Sequence, residues 1–131
     1  MATHAAIEWI TSATALAIHE RQLAEHGGRI GIRDETLLAS ALARPQQTHT
    51  YREAPDLADL ASSLAFGLAR NLPFIDGNKR TAHVCYRVFL DLNYAELEAT
   101  DEELYVRMLA LAEGMLDETA FARWLRSRLK H

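Results

Sequence analysis

The chain has 131 residues, 49% of them apolar and 24% charged, a composition that predicts one globular domain over residues 1–131. The net charge of −4 without a basic run argues against a nucleic-acid partner, and no apolar stretch is long enough to predict a membrane span. Without a recognisable secretion signal, and with Cys85 as its single cysteine, the chain is expected in the reducing cytoplasm, with Cys85 as a buried structural thiol.

Apolar residues recur with helical spacing along most of the chain. Residues 12–25 are predicted to form a first helix, and residues 34–45 a second helix that Pro45 ends. The stretch 46–55 that follows is polar and irregular, which predicts a loop or a β-hairpin. Residues 56–71 carry apolar side chains at i, i+3 and i+4 spacing, which indicates a third helix.

A fourth helix is predicted over residues 77–92 from the same spacing. The pattern T-x-x-E at residues 100–103 is a capping box and predicts a fifth helix that reaches Glu113. Asp117 is a candidate N-cap for a last helix, and residues 94–98 hint at a short strand. The fold class is therefore all-α, with about six helices and at most a small β-hairpin.

The most informative stretch is L-P-F-I-D-G-N-K-R-T-A at residues 72–82, where a turn leads into the fourth predicted helix. The first N–H groups of a helix are unpaired and lie at the positive end of its dipole, and Gly77 lets an anion approach them closely. Lys79 and Arg80 add two cations, which are unfavourable there unless an anion faces them. Asp76 carries the oxygen ligand that Mg²⁺ prefers. The stretch therefore predicts a phosphate site with a metal ion.

The residues alone leave a simpler interpretation open for this stretch. Asp76 and Gly77 form a common turn, and Asn78 is a common N-cap, so the pattern also suits an ordinary junction between a loop and a helix. In that case Lys79 and Arg80 belong to a solvated helix face with no ligand.

The same stretch closely resembles the signature H-[PI]-F-x-[DN]-[AG]-N-[KG]-R of the Fic/Doc family. A second block, upstream of it, resembles the Doc-type (death-on-curing) toxins within that family. This block reads G-G-x-x-G-I-R-D-x-x-L-L-x-S-A-L-A-R-P from Gly27 to Pro45. The resemblance implies a compact Fic-type helical bundle, in agreement with the helical spacing.

The resemblance implies a site that binds ATP and Mg²⁺ and modifies a hydroxyl group of a target protein. Members that transfer AMP carry G-N-G-R-x-x-R, whereas Doc-type members carry lysine at the second glycine and phosphorylate a threonine of an elongation factor. Lys79 stands at that glycine and His83 at the second arginine, so the resemblance favours phosphoryl transfer, with AMP transfer as the alternative. It assigns the nucleotide to Gly77, Asn78, Lys79 and Arg80, and the metal ion to Asp76.

Leu72 departs from the motif, which has histidine there as the general base. Leucine has no lone pair, and general-base assistance contributes typically about 10²–10⁴-fold, so the chain is expected to bind nucleotide but to be impaired in transfer. Two explanations remain open: a natural member that has become a non-catalytic binding protein, or a copy whose natural histidine has been replaced by an inactivating change. His83 is the nearest histidine in sequence, and its helical phase with Arg80 and Arg87 predicts an outward, surface position.

The resemblance implies two protein partners, a translation factor as target and a small, separately encoded antitoxin. Other Fic proteins carry an inhibitory [ST]-x-x-x-E-[GN] helix, but the one glutamate here that precedes Gly or Asn is Glu113, with Leu109 four residues before it. In the family a β-hairpin flap docks the target by main-chain pairing. The irregular stretch 46–55 is predicted to supply this flap, through Thr48, His49, Thr50 and Tyr51.

Overall fold

The computed structural model describes residues 6–130, and within this range the chain forms six α-helices. They are α1 (Ser12–His26), α2 (Glu35–Tyr51), α3 (Leu57–Asn71), α4 (Asn78–Leu92), α5 (Asp101–Glu113) and α6 (Glu118–Arg128). The predicted all-α class and the predicted number of helices are confirmed. Across the described range, every helix is too short or too polar to span a lipid bilayer.

Five of the six helices begin at a side chain that accepts a hydrogen bond from a backbone N–H three residues later. These N-caps are Thr11, Asp34, Asp56, Thr100 and Asp117. The predicted capping box of Thr100 and Glu103 is present. α4 differs, because its N-cap is Gly77, which has no side chain to offer. The first N–H groups of α4 are therefore left for another partner.

α3 is the central helix of the fold. It packs against α2, α4, α5 and α6, and its residues Leu60, Leu64 and Leu68 are at most 1% exposed. Phe74, just after α3, is also 1% exposed. The loop between α3 and α4 is thereby tied to the core, at the end of the bundle where α4 begins.

α2 continues past Pro45 to Tyr51, so the prediction that Pro45 ends this helix is wrong. The predicted loop or hairpin over 46–55 is wrong for residues 46–51, whereas residues 52–55 are irregular. A proline inside a helix removes one backbone hydrogen bond, but contacts to α3 hold the helix on both sides of it. Arg44 donates to the hydroxyl of Ser63 at 3.2 Å, and the hydroxyls of Thr48 and Ser63 are 3.0 Å apart. These tertiary contacts offset the cost of the proline.

Two isolated antiparallel bridges complete the described structure, Ile32 with Phe74 and Leu97 with Leu129. The second bridge falls within residues 94–98, where the sequence hints at a strand, and only this single bridge forms there. The first bridge joins the segment before α2 to the loop before α4, and it frames the candidate site.

Candidate functional site

The site is built where the segment 27–33, between α1 and α2, meets the loop 72–77, between α3 and α4. Main-chain hydrogen bonds flank the bridge between Ile32 and Phe74. They run from Ile75 N to Gly31 O at 3.1 Å and from Arg33 N to Pro73 O at 2.7 Å. The two blocks that carry the family resemblance are therefore one structural unit.

Leu72 ends α3 in a left-handed conformation, with φ of 50°. The guanidinium group of Arg33 supports this helix end, donating to the carbonyls of Leu72 at 2.7 Å and Asn71 at 2.8 Å. It satisfies two final carbonyls of α3 and places a cation at the negative end of the helix dipole. The side chain of Leu72 is 46% exposed and faces the pocket described below.

Asn78, the first residue of α4, holds the loop in place. Its amide oxygen accepts from the N–H of Phe74 at 2.9 Å, and its amide nitrogen donates to the carbonyl of Phe74 at 2.9 Å. The expectation that Asn78 is the N-cap is therefore wrong. Gly77 is the N-cap, with φ of 76° that residues bearing a Cβ rarely adopt. A contact of Asn78 with phosphate would come from its backbone N–H.

Asp76 is half-buried and held from two directions. The N–H of Arg29 donates to its Oδ2 at 2.8 Å, and Nε2 of His19 lies 2.8 Å from its main-chain carbonyl. His19 is itself fixed, because it is 2% exposed and stacks on Phe74 with 3.8 Å between the ring centroids. The carboxylate of Asp76 therefore has a defined position, and Oδ1 is the oxygen that Arg29 leaves untaken.

A pocket of about 530 Å³ opens at the start of α4. The predicted residues share its wall, namely Leu72, Asp76, Gly77, Asn78, Lys79 and Arg80. His26 at the end of α1 and Tyr105 on α5 form its other side. The structure thus brings the predicted nucleotide and metal residues together around one space.

Two cations stand beside the uncapped N–H groups of α4. The ammonium group of Lys79 is 4.0 Å from Glu113 at the end of α5. The guanidinium of Arg80 lies 5.3 Å from the centroid of the Tyr105 ring, and its Nη1 is 3.4 Å from Nε2 of His26. Within residues 6–130, Arg80 forms no salt bridge, so this wall of the pocket carries unneutralised positive charge that suits an anion.

The sequence model of the Fic/DOC family matches residues 9–90, which include both segments of the pocket. The chain belongs to the Fic/DOC family. It is 46% identical over 95 residues to the protein named Toxin Doc from Mycolicibacterium smegmatis, covering 72% of this chain and 68% of that protein. It is 28% identical over 111 residues to the protein named Protein kinase doc from Escherichia phage P1, covering 85% of this chain and 87% of that protein. The resemblance to the Doc-type branch is confirmed.

His83 of this Fic/DOC chain is buried, at 7% exposed, so the prediction of an outward position is wrong. Its Nε2 lies 3.3 Å from Asp101 and 3.2 Å from Arg87, and its ring packs edge-on against Tyr105 at 5.0 Å. Burial lowers the pKa of His83, and the hydrogen bond to Asp101 opposes this shift. The helical phase of α4 gave the wrong prediction because α5 covers the side of α4 on which His83 lies.

Cys85 lies five residues after Arg80 on α4 and is fully buried. Burial raises the pKa of its thiol to about 12, so the reactive thiolate is disfavoured. The prediction of a buried structural thiol is confirmed, and the Fic/DOC site holds no cysteine within the described residues.

The residues predicted to dock the target lie elsewhere. Thr48, His49, Thr50 and Tyr51 form the last turn of α2, where Thr48 O already accepts from the N–H of the residue that ends the helix. At about 1.5 Å per residue, Thr48 lies roughly 20 Å along the axis from the start of α2. None of the four lines the pocket. The prediction of a flap here is wrong because the segment is helical.

Sequence reasoning did not single out three residues of the site, His19, His26 and Tyr105. A signal existed for the two histidines, since they lie seven residues apart on one face of α1 and His26 directly precedes the upstream Fic/DOC block. Tyr105 had no such signal, because it reaches the pocket from α5, whose position depends on tertiary packing.

Proposed function

We propose that this chain is a Doc-type toxin of a bacterial toxin–antitoxin pair. Its site would transfer the γ-phosphoryl group of ATP to a hydroxyl group of a translation factor and so block translation. The start of α4 carries this proposal, because uncapped N–H groups, two cations and a carboxylate share one pocket wall. The relative named Toxin Doc supports a toxin with a separate antitoxin, and the relative named Protein kinase doc supports phosphoryl transfer.

The phosphates of ATP would lie against the backbone of Gly77 and the first turn of α4. Phosphoryl transfer depends on positioning and charge neutralisation more than on covalent participation. Lys79 and Arg80 supply the charge, and the guanidinium of Arg80 can donate two parallel hydrogen bonds to a phosphate. In the free protein the neighbours of Arg80 are a tyrosine ring and an imidazole nitrogen, so its charge is available.

Asp76 fits the role of a single protein ligand for Mg²⁺. This ion binds through one or two carboxylates together with phosphates and waters. Residues 6–130 contain no group of three or more His, Cys, Asp or Glu side chains that could hold a metal by themselves. Arg29 and His19 fix Asp76 and leave Oδ1 for the ion. When bound, Mg²⁺ would neutralise phosphate charge at this position.

Lys79 and His83 favour phosphoryl transfer over AMP transfer. The side chain of Lys79 fills the wall of the pocket where AMP-transferring members have glycine. His83, at the position of their second arginine, is buried against Asp101 and does not line the pocket. Both differences from the AMP-transferring motif support phosphoryl transfer.

Leu72 predicts an impaired enzyme. Its side chain borders the pocket but cannot accept a proton, which costs typically about 10²–10⁴-fold in rate. The backbone at this position has φ of 50°, a conformation in which histidine is several-fold enriched among non-glycine residues. Histidine at position 72 is therefore expected to restore transfer without disturbing the loop.

The target segment can dock at the free edge of the segment 27–33. Because hydrogen bonds flank the pair of Ile32 and Phe74, the N–H and C=O of Ile32 point away from the loop. No main-chain hydrogen bond within the described chain uses them, whereas Asn78 takes the corresponding groups of Phe74. An extended target segment can add there as a strand, beside the exposed side chain of Ile30.

Nucleotide binding is tested by titrating the folded chain with ATP and Mg²⁺ in a calorimeter. Binding is expected despite Leu72, and Arg80→Ala is expected to weaken it by about 1.5–3 kcal/mol, the contribution of a charged hydrogen bond. Arg107→Ala is the matched control, because Arg107 also lies over an aromatic ring, Trp124, but outside the pocket. No binding by the folded chain would contradict the proposed site.

The reaction is tested with Leu72→His expressed in bacteria. Growth arrest is expected, with a target protein that gains the mass of one phosphate. The mass of one AMP would support the alternative transfer. Normal growth of a Leu72→His strain whose purified protein binds ATP would contradict the toxin and favour a non-catalytic binding protein.

Target docking is tested in the Leu72→His background with Ile32→Pro, which removes the outward N–H of the edge. Target modification should be lost while ATP affinity is retained. Tyr51→Ala is the comparison, because Tyr51 is 84% exposed at the end of α2 and should be neutral. Loss of target modification in Tyr51→Ala but not in Ile32→Pro would indicate that the target docks at the end of α2.

A further inference from the structure

His26 lies at the pocket in a position that the proposed function does not yet use. It is the last residue of α1 and lines the pocket together with Leu72 and Arg80. Its side chain is 39% exposed, so a molecule in the pocket can reach the imidazole. The proposed reaction needs a proton acceptor, and the residue at the motif position, Leu72, cannot be one.

Nε2 of His26 lies between a cation and a carboxylate. It is 3.4 Å from Nη1 of Arg80 and 3.9 Å from Oε2 of Glu25. A guanidinium group can only donate, so the contact with Arg80 places the lone pair on Nε2. A protonated Nε2 would instead pair with Glu25. The neutral imidazole therefore has Arg80 as a partner and the protonated imidazole has Glu25. A group with a partner in both states is suited to accept a proton and later return it.

Tyr105 also lines the pocket, but the oxygen of a neutral phenol is a much weaker base than imidazole. The remaining polar side chains of the site do not combine a lone pair with access to the pocket. His19 is 2% exposed, and its Nε2 is engaged by the carbonyl of Asp76. The amide of Asn78 is committed to the loop, and Lys79 can only donate when charged. The carboxylate of Asp76 is assigned to the metal ion. Among these groups, His26 is left as the proton acceptor.

We propose that His26 accepts the proton of the attacking hydroxyl, with Glu25 stabilising the imidazolium that forms. The inference rests on the proposed function. The hydroxyl oxygen bonds to the γ-phosphorus, the bond from that phosphorus to the β,γ-bridging oxygen breaks, and its electron pair leaves with ADP. The hydroxyl proton moves to Nε2 of His26. Bound phosphate attracts Arg80 away from His26 and frees this lone pair.

The test uses water as the acceptor, so that the target protein is not required. Release of inorganic phosphate from ATP and Mg²⁺ is measured in single turnovers of the full chain. His26→Gln is expected to lower the rate by about 10²-fold, the lower range of general-base effects. Glutamine keeps an oxygen that can accept from Arg80, so ATP affinity should change little. His49→Gln, on α2 outside the pocket, is the matched control and should keep the rate.

Two further variants separate proton transfer from a structural role. Free imidazole should restore turnover to His26→Ala, and His26→Gln should cost less in a Leu72→His background, where a second acceptor is present. Equal phosphate release by the unaltered chain and by His26→Gln overturns the inference. Calorimetry distinguishes this from failure of the proposed function: loss of ATP binding contradicts the site, whereas bound ATP with turnover indifferent to His26 contradicts only its role.

Discussion

Asn78 offers a direct test of whether the proposed phosphate cradle, formed by the backbone of Gly77 and the first turn of α4, depends on a preorganised loop. Its amide bonds both the N–H and the carbonyl of Phe74, at 2.9 Å each. The chain contains a matched control in Asn93, at the other end of α4. The amide of Asn93 bonds both the N–H and the carbonyl of Glu8, also at 2.9 Å each. Each asparagine amide thus forms a clamp, a pair of hydrogen bonds to the N–H and the carbonyl of one residue, but only the clamp of Asn78 borders the pocket.

The expected loss of stability in Asn78→Ala follows from the N–H and carbonyl of Phe74, which would lose their hydrogen-bond partner. Each neutral hydrogen bond contributes about 0.5–1.5 kcal/mol, and a polar group left buried without a partner costs about 1–3 kcal/mol. The bonds to Phe74 are partly buried, so we expect a loss of about 2–4 kcal/mol in the free energy of unfolding. The corresponding bonds of Asn93 to Glu8 are exposed, so Asn93→Ala should cost less.

The assay combines denaturant unfolding with calorimetric titration by ATP and Mg²⁺. Asn78→Ala should weaken ATP binding by about tenfold or more, since each 1.4 kcal/mol spent on reordering the loop corresponds to a factor of ten. Asn93→Ala should leave ATP affinity unchanged. If Asn78→Ala loses stability but binds ATP as tightly as the unaltered chain, the clamp does not organise the cradle and the reasoning is refuted.

Three further outcomes follow from the backbone and from charge. Leu72→His should leave the free energy of unfolding unchanged or slightly raised, because position 72 has φ of 50° and its leucine is 46% exposed. Chemical denaturation measures this free energy, and a clear decrease would contradict the prediction. Gly28→Ala should cost about 1–3 kcal/mol in the free energy of unfolding, because Gly28 has φ of 128° and an added Cβ would lie 2.8 Å from Cδ2 of Leu23 and 3.3 Å from Cβ of Asp76. The contact with Asp76 should also weaken Mg²⁺-dependent ATP binding, and unchanged stability would refute this reasoning. The hydrogen bond from Arg126 lowers the pKa of Asp56 from 3.8 to about 2, so the free energy of unfolding should decrease as the pH falls through this range. For Asp56→Asn, the free energy of unfolding should depend less strongly on pH than for the unaltered chain. An identical pH dependence would contradict the assignment.

Local sequence was sufficient for most of the helices, and it brings together the residues proposed to bind phosphate. A cap and the apolar spacing that follows it involve residues within a few positions of one another, so Thr100 with Glu103 and the spacing of α3 predict their helices without knowledge of the rest of the fold. The proposed phosphate cradle is equally local. Gly77, Lys79 and Arg80 are consecutive or nearly so, and a helix N-terminus gathers their groups at one point.

Only the tertiary structure decided whether α2 continues past Pro45, whether His83 is buried and which residues complete the pocket. α2 continues past Pro45 because contacts with Ser63 of α3 offset a lost backbone bond. His83 is buried because α5 covers it, and His26 reaches Arg80 across 54 positions of sequence. Each of these results depends on an element distant along the chain, and local periodicity and capping carry no information about such contacts.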